Sequence, residues 1–492
     1  MQKQVEKLEK IAREIGTPCI LPVSIKINGC KDPAEIYFRI RSLHHPSFLF
    51  ESSGGPIKIG RYSVIGFDPI FHFCAEGKTR RAILKGETFG RPAGDADPLE
   101  ILKKVAGVDE VKTPHVTPQY LLAFFGCVGY DYVREMVPLP ENAVDDLAHP
   151  MLEFILPSKI MIFDHLRSKT TFACLLPISA CLLPISDVRE IRNKTDEARK
   201  AISRMVAILG KKPREDNTVK HERSNISRRD FERKVERAKE YIRAGDVIQV
   251  VLSRRIEIRP APDPENFYWK LRSINPSPYM FFLDFPKRVL IGSSPELLVK
   301  VDDGKVVTRP IAGTRRRGDE GTDVELERDL LSSEKERAEH VMLVDLGRND
   351  LGKVCTFGSV MVEEFMKVEK YSHVQHLVST VSGQLRPDKD SFDALRATFP
   401  AGTVTGAPKV RAMEIIEELE PTRRGLYAGA VGCFSYQREA DFAITIRAMV
   451  IQNGTGYIQV GAGIVADSVA WKEYYETENK ARALLAAAGV RS

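Results

Sequence analysis

Apolar positions along the chain fall into blocks of different spacing. Residues 1–16, MQKQVEKLEKIAREIG, read as a charged amphipathic helix without the apolar centre of a signal peptide. From Cys19 to about Phe163 short apolar runs alternate with glycine and proline, as in FLFESSGG (48–55), RYSVIGFDPIFHFCAEG (61–77), YLLAFFGCVGYDYV (120–133) and KIMIFDHLR (159–167). That rhythm predicts strands and turns of a large antiparallel sheet. ACLLPIS at 173–179 recurs at 180–186, too short a copy for a repeat fold, and no function is assigned to it.

Helical spacing returns at 187–209, closed by Gly210, and the polar stretch 210–225 with Pro213 reads as a linker. Ser227 then caps a helix with Phe231, Val235, Ala238 and Ile242 on one stripe and Gly245 past its end. Strand patterns follow at 247–258, 278–285, 289–301 and 305–314. A helix over 332–352 has an apolar middle (Val341, Met342, Val344, Leu346), and another starts near Pro408. Paired strands run to Val465, with Asn453-Gly454 as a hairpin turn, and a helix covers roughly 470–488. The expected organisation is an N-terminal region 1–186, a helix and linker 187–226, and a second domain 227–492. The fold class is α/β (α+β), with large antiparallel sheets packed as a sandwich and flanked by helices.

Composition adds mainly exclusions. The 492 residues are 43% hydrophobic and 28% charged, ordinary for a soluble globular protein. No apolar run is long enough for a membrane span, and with no targeting segment the expected location is the cytoplasm. Eight cysteines form no C-x-x-C pair, so zinc and redox motifs are disfavoured. A net charge of +6 is mild, and Arg315-Arg316-Arg317 is too short a cluster for a nucleic-acid face.

The candidate chemistry lies on two helices. Ser333 with Glu336 three residues on is a capping box, and Glu336 and Glu339 share one face. Glu473, Glu476 and Lys480 share a face of the last helix. Each set has a plain reading, a capped helix start or an exposed Glu476–Lys480 ion pair. Together the two E-x-x-E faces make a hard-cation site of oxygen ligands, suited to Mg²⁺. The loop 401–409 fails the spacing of a phosphate loop, and Gly461-Ala462-Gly463 is half a dinucleotide fingerprint; both offer backbone N–H groups to an anion. Arg447 and Lys480 could pair a carboxylate.

Eleven stretches now identify a resemblance, among them GDVIQVVLSRR (245–255), IGSSPE (291–296), RPIAGTRRRG (309–318), AEHVMLVDLGRNDLG (338–352), YSHVQHLVS (371–379), GTVTGAPKVRAMEII (402–416) and ETENKARA (476–483). They resemble the chorismate-utilising enzymes, and within that family the large subunits of anthranilate synthases. FLFESS, GRYSVIGFDP and VGYDYVRE extend the resemblance, less specifically, into the first half. The resemblance implies that chorismate and ammonia give 2-amino-2-deoxyisochorismate, which loses pyruvate to yield anthranilate, the entry to tryptophan synthesis. It implies Mg²⁺ on Glu339 and Glu476, with Glu336 and Glu473 in or beside the coordination shell. It makes Glu296 the general acid for the departing C4 hydroxyl and His376 the proton carrier at C2, with Thr403 beside them and His373 structural. It places Gly313, Thr314, Tyr427, Arg447, Gly461, Ala462, Gly463 and Lys480 against substrate. Gln249 stands where water-using relatives carry a lysine base, and Ala312 where aminodeoxychorismate synthases carry a lysine nucleophile; neither can do that work. Glu51, Ser52, Pro278, Tyr279 and Met280 match a tryptophan-sensing site. Phe50 and Thr405 depart from the family's usual leucine and serine without touching the chemistry. Ammonia would come from a separate glutamine amidotransferase subunit in a hetero-oligomer, or from solution. Aminodeoxychorismate synthase and a catalytically silent ligand-binding regulator remain the alternatives.

Overall fold

A computed structural model describes residues 19–53, 60–77, 79–84, 87–89, 96–114, 120–178, 197, 200, 221–371 and 374–490. The helix expected over 1–16, most of that over 187–209, the second ACLLPIS copy, most of the linker and His373 lie outside these residues.

Among the described residues, 22 strands join in one antiparallel sheet, folded so that helices pack on its faces. Two long strands hold it together. Tyr62–Glu76 pairs along nearly its whole length with Leu152–Asp164. From Tyr62–Glu76 one limb runs through Ser47–Glu51, Tyr279–Phe285, Arg288–Ser294, Ala448–Gln452 and Thr455–Ile464 to Gln249–Arg259. From Leu152–Asp164 the other runs through Ala123–Val128, Ala430–Ser435, Ala440–Ile444, Leu297–Asp302 and Lys305–Thr308 to Val374–Gln384. Each limb therefore contains strands from both halves of the chain. Where they meet, Gly126 faces Gly432. A Cβ on Gly126 would stand 2.0 Å from the Glu153 carbonyl oxygen, so the strands approach this closely only without side chains there.

The alternating apolar runs do form strands, with breaks where chemistry is needed. The run 289–301 is two strands parted at Pro295 and Glu296, and 441–452 is parted around Arg447. Asn453 and Gly454 both have positive φ, the geometry of a two-residue hairpin turn. Two helices interrupt the region expected to be strands and turns: Pro33–Arg41 and Pro98–Ala106. Both begin at an Asp-Pro pair, where the carboxylate of Asp32 or Asp97 accepts from a first-turn N–H and proline fixes the first helical φ.

The helix Glu334–Gly352 is less buried than its apolar middle suggests. Val341 is 41% exposed, and Asp345 and Arg348 are an exposed ion pair at 2.8 Å. Leu343 and Val344 form the buried stripe, and Asp350 is buried against Lys409 at 2.8 Å. Among the described residues, no helix is long and apolar enough to cross a membrane.

One buried cluster ties the halves electrostatically. Arg288 donates to Glu153 at 2.6 Å and to Glu76 at 2.7 Å, and the second oxygen of Glu153 lies 3.0 Å from His72 Nε2. Removing one member leaves a desolvated charge alone, which costs about 3–5 kcal/mol. Arg288→Met is expected to lower unfolding stability by about that amount in urea titration; a loss under about 1 kcal/mol would show the cluster to be dispensable.

Candidate active site

Two helix starts bring four carboxylates to one cavity. Ser333 Oγ accepts from the Glu336 N–H at 3.4 Å, so the cap forms. The reciprocal arm of the capping box does not: the Glu336 carboxylate turns to Arg315 at 3.0 Å and faces the cavity. Glu339 follows one turn later. From the last helix, Ala470–Ala488, Glu473 and Glu476 approach the same space. The cavity holds about 590 Å³. Lys480 Nζ bridges Glu476 at 2.6 Å and the Gly461 carbonyl at 2.9 Å, so the ion pair read from the sequence forms on the cavity wall.

These carboxylates repel one another. Burial is the main reason that Glu339 is pushed above the usual carboxylate range, and the charges of Glu336 and Glu476 add to it. Glu473, 8% exposed, is raised by burial first and by the charge of Glu476. Gln249 Nε2 donates to Glu339 at 3.3 Å, a weak offset. Among the described residues, no three acidic, histidine or cysteine side chains are drawn together as a finished metal cage. The donors nevertheless fit Mg²⁺: all are oxygens, they line one cavity, and their mutual repulsion is relieved by a divalent cation that retains waters.

Glu296 lies in the gap between the strands Arg288–Ser294 and Leu297–Asp302 and is 6% exposed. Its backbone is fixed at both ends, the N–H donating to Ser294 Oγ and the carbonyl accepting from Ile444. Burial raises its carboxyl to about 8; the Thr403 hydroxyl, the Ile311 amide and Lys480 oppose that rise without cancelling it. Thr403 Oγ1 is itself buried and short of hydrogen-bonding geometry with any partner. Glu296 is therefore held as a neutral acid near pH 7.

His376 is arranged the opposite way. Its Nδ1 lies 3.0 Å from the Gly313 carbonyl, which can only accept, so Nδ1 carries the proton and Nε2 keeps its lone pair. Thr314 Oγ1 is 3.0 Å from the same nitrogen. Burial is the main cause that depresses the imidazole below 6.5. The carbonyl points this way because register slips between Ala312 and Thr314, at Gly313 with φ +62°. A Cβ on Gly313 would meet Leu330 at 2.9 Å and Glu336 at 3.1 Å.

The remaining wall is built for an anion. Arg447, at φ +52°, donates to the Lys480 carbonyl at 2.7 Å and has no carboxylate partner among the described residues. Tyr427, Gly461 and Gly463 line the cavity. A Cβ on Gly461 would come within 2.8 Å of the Tyr427 hydroxyl, and one on Gly463 within 2.5 Å of Gln249 Nε2. Ala462 is a correction. It is fully buried on the opposite face of its strand, packed with Val250 and Ile415, so only its backbone can serve a substrate. Lys335, Gln459 and Asn479 also line the cavity and escaped the sequence reading. Gln459 was within reach: it stands two residues before Gly461 on one strand, hence on the same face.

A second cavity of about 230 Å³ gathers Glu51, Ser52, Pro278, Tyr279 and Met280. Pairing of Ser47–Glu51 with Tyr279–Phe285 sets Met280 opposite Glu51, and Ser52 Oγ donates to the Pro278 carbonyl at 2.9 Å. Glu51 is buried and held by Tyr268 and Arg272, each at 2.6 Å.

Known proteins are similar to this chain in sequence and fold. The family profile described as chorismate binding enzyme matches residues 45–486. Anthranilate synthase component 1 of Acetivibrio thermocellus is 42% identical over 475 residues, covering 95% of each chain. The same component from Aquifex aeolicus (strain VF5) is 45% identical over 461 residues, covering 92% of each. The crystal structure of anthranilate synthase component I from Streptococcus pneumoniae TIGR4 superposes with a TM-score of 0.74 at 37% identity, over 86% of this chain and 92% of that one. The menaquinone-specific isochorismate synthase of Escherichia coli shares the fold at a TM-score of 0.72 and 20% identity, over 98% of this chain and 99% of that one.

Proposed function

The chain belongs to the chorismate binding enzyme family, and from that premise we propose that it is the chorismate-converting component of an anthranilate synthase. The reaction is chorismate plus ammonia to anthranilate, pyruvate and water. The observation that carries this reading is one cavity containing a carboxyl kept protonated, Glu296, and an imidazole kept neutral, His376.

Glu296 protonates the departing C4 hydroxyl, which leaves as water while ammonia adds at C2, and the proton of the new ammonium returns to the Glu296 carboxylate. His376 then takes the C2 proton through Nε2, the C3–O bond breaks to release enolpyruvate, which takes up a proton to become pyruvate, and the ring becomes aromatic. Bound Mg²⁺ would neutralise the ring carboxylate, held by Glu339 and Glu476 with Glu336 and Glu473 in support. Arg447 and Lys480 orient substrate carboxylates, Tyr427 and Thr314 its oxygens, and Gly461 and Gly463 leave room for the ring. Gln249 can accept a hydrogen bond from ammonia through its unpartnered Oε1 but cannot act as a base toward water. Ala312 places a methyl group on the wall, which disfavours the aminodeoxychorismate reaction. The intact acid, base and carboxylates disfavour a silent regulator.

The second cavity suits tryptophan as feedback inhibitor, with aromatic Phe50, Tyr120 and Phe125 for an indole ring and Glu51 with Ser52 at the polar end. In this scheme residues 1–186 carry the regulatory site and partner surface, 187–226 join, and 227–492 carry catalysis. The partner is a glutamine amidotransferase subunit that supplies ammonia in a cytoplasmic hetero-oligomer.

Incubation with chorismate, Mg²⁺ and ammonium should yield anthranilate and pyruvate; 4-amino-4-deoxychorismate, or unconsumed chorismate, would contradict the assignment. Activity should follow a bell in pH. Turnover falls as pH rises through about 8, where Glu296 loses its proton, and falls again in acid below 6.5, where His376 gains one. A flat profile from pH 7 to 9 would remove Glu296 from its role. Glu339→Gln should abolish turnover at ordinary Mg²⁺, and near-normal rates would exclude it as a ligand. Ser52→Phe fills the smaller cavity and should relieve tryptophan inhibition with turnover kept; unchanged inhibition would place the sensor elsewhere.

A further inference from the structure

Behind the cavity wall lies a buried ion pair that the reaction does not use. Arg424 and Glu420 are 3% and 6% exposed, four residues apart in the segment that follows the helix Lys409–Leu419, and meet through two hydrogen bonds of 3.0 and 2.7 Å. The rest of the Arg424 fork leaves the pair. One nitrogen donates to the Val404 carbonyl and another to the Val251 carbonyl, both at 2.7 Å. Its guanidinium also lies 5.6 Å from the centre of the Tyr427 ring and 4.9 Å from that of Tyr130. Glu420 reaches in another direction. Its Oε1 accepts from the Ser253 N–H at 2.7 Å and from Ser253 Oγ at 2.8 Å, and Ser253 Oγ accepts from Gln459 at 2.8 Å.

Apart from Tyr130, these contacts lead to parts of the cavity wall. Val404 closes the single 3-10 turn Gly402–Val404 that carries Thr403, the hydroxyl beside Glu296. Val251 stands on the strand that carries Gln249. Tyr427 and Gln459 face the cavity directly. Among the described residues, backbone pairing joins the strand of Gln249 to that of Gln459, but no ion pair of their own joins these pieces, and a buried charge pair repays its desolvation only when further hydrogen bonds satisfy its remaining donors and acceptors. We infer that the Arg424–Glu420 pair is the positioning device of this site: it sets Thr403 against Glu296 and fixes Tyr427 and Gln459 around the substrate. Arginine is required, because only a planar fork with five N–H donors can serve a carboxylate and two carbonyls at once.

The inference rests on the proposed reaction, and the wild-type chain separates the two. If wild type makes a different product, the functional reading fails, and the effect of the variants is read on that product instead. Three full-length variants test the inference by steady-state kinetics, pH profiles and thermal unfolding. Arg424→Lys keeps the charge but loses the fork. It should lower kcat about 10²-fold, the effect of an acid site displaced by about an ångström, while KM for chorismate changes far less. Its alkaline limb should also move to higher pH, because the Thr403 hydroxyl that favours ionised Glu296 is no longer held there. Glu420→Gln should show the same kcat-selective loss and the same limb shift. Ser253→Ala cuts only the Gln459 arm and leaves the pair intact. It should fold normally and lose about tenfold in kcat/KM with the alkaline limb unmoved. Folded Arg424→Lys with kcat within twofold of wild type overturns the inference. So does a loss that falls equally on kcat, KM and unfolding temperature with no limb shift, since that is general loosening. If both charge variants fail to fold, Ser253→Ala decides it: unchanged kcat/KM removes the positioning role.

Discussion

A carboxyl group shut away from water keeps its proton unless a cation is in contact, and the cavity is arranged around that constraint at Glu296. Raising a carboxyl from 4.5 to about 8 disfavours its charge by roughly 5 kcal/mol. The fold supplies this by breaking one apolar run at Ser-Pro-Glu, so that the side chain enters the sheet interior. The wall opposite follows another rule. Glu336, Glu339 and Glu476 are more open to solvent than Glu296, Glu473 is buried beside them, and the repulsion that raises Glu339 is relieved by a cation. One cavity thus holds a neutral acid and an anionic cluster. The separation lets an acid operate close to a cation site without being ionised by it.

The same gap connects the two cavities. Tyr279, on the wall of the smaller one, pairs with Ser294, two residues before Glu296. Met280 pairs with Glu51 on one side and Ser293 on the other. Ser47–Glu51 is thus tied through Tyr279–Phe285, by backbone hydrogen bonds, to the strand that ends just before the acid.

Much of this was legible in the sequence, for identifiable reasons. Strand runs and the last helix follow directly from period, and the positions of Glu473, Glu476 and Lys480 follow from a turn of 3.6 residues. The Ser333 cap was readable; the destination of the Glu336 carboxylate was not, because Arg315 is distant in sequence and reaches it only through the sheet. The apolar middle of the 332–352 helix suggested burial, yet the helix leaves Val341 exposed and turns Asp345 and Arg348 outward. Ala462 was assigned with its glycine neighbours by motif, and strand alternation sends its methyl group to the other face. The short helices at Pro33 and Pro98 carry a clear Asp-Pro start, outweighed by the surrounding strand rhythm. The Arg424–Glu420 pair lies four residues apart in sequence, beyond the end of a helix, but its value lies in contacts that only the tertiary fold brings together.

The protonation state of Glu296 is the point on which the account turns, and infrared difference spectroscopy reads it directly. Wild type and Glu296→Gln are compared at pH 7 in the absence of substrate. The account predicts a protonated-carboxyl C=O band in wild type that is missing from the variant and disappears as pH is raised through about 8. An ionised Glu296 at pH 7, with no such band, would contradict it.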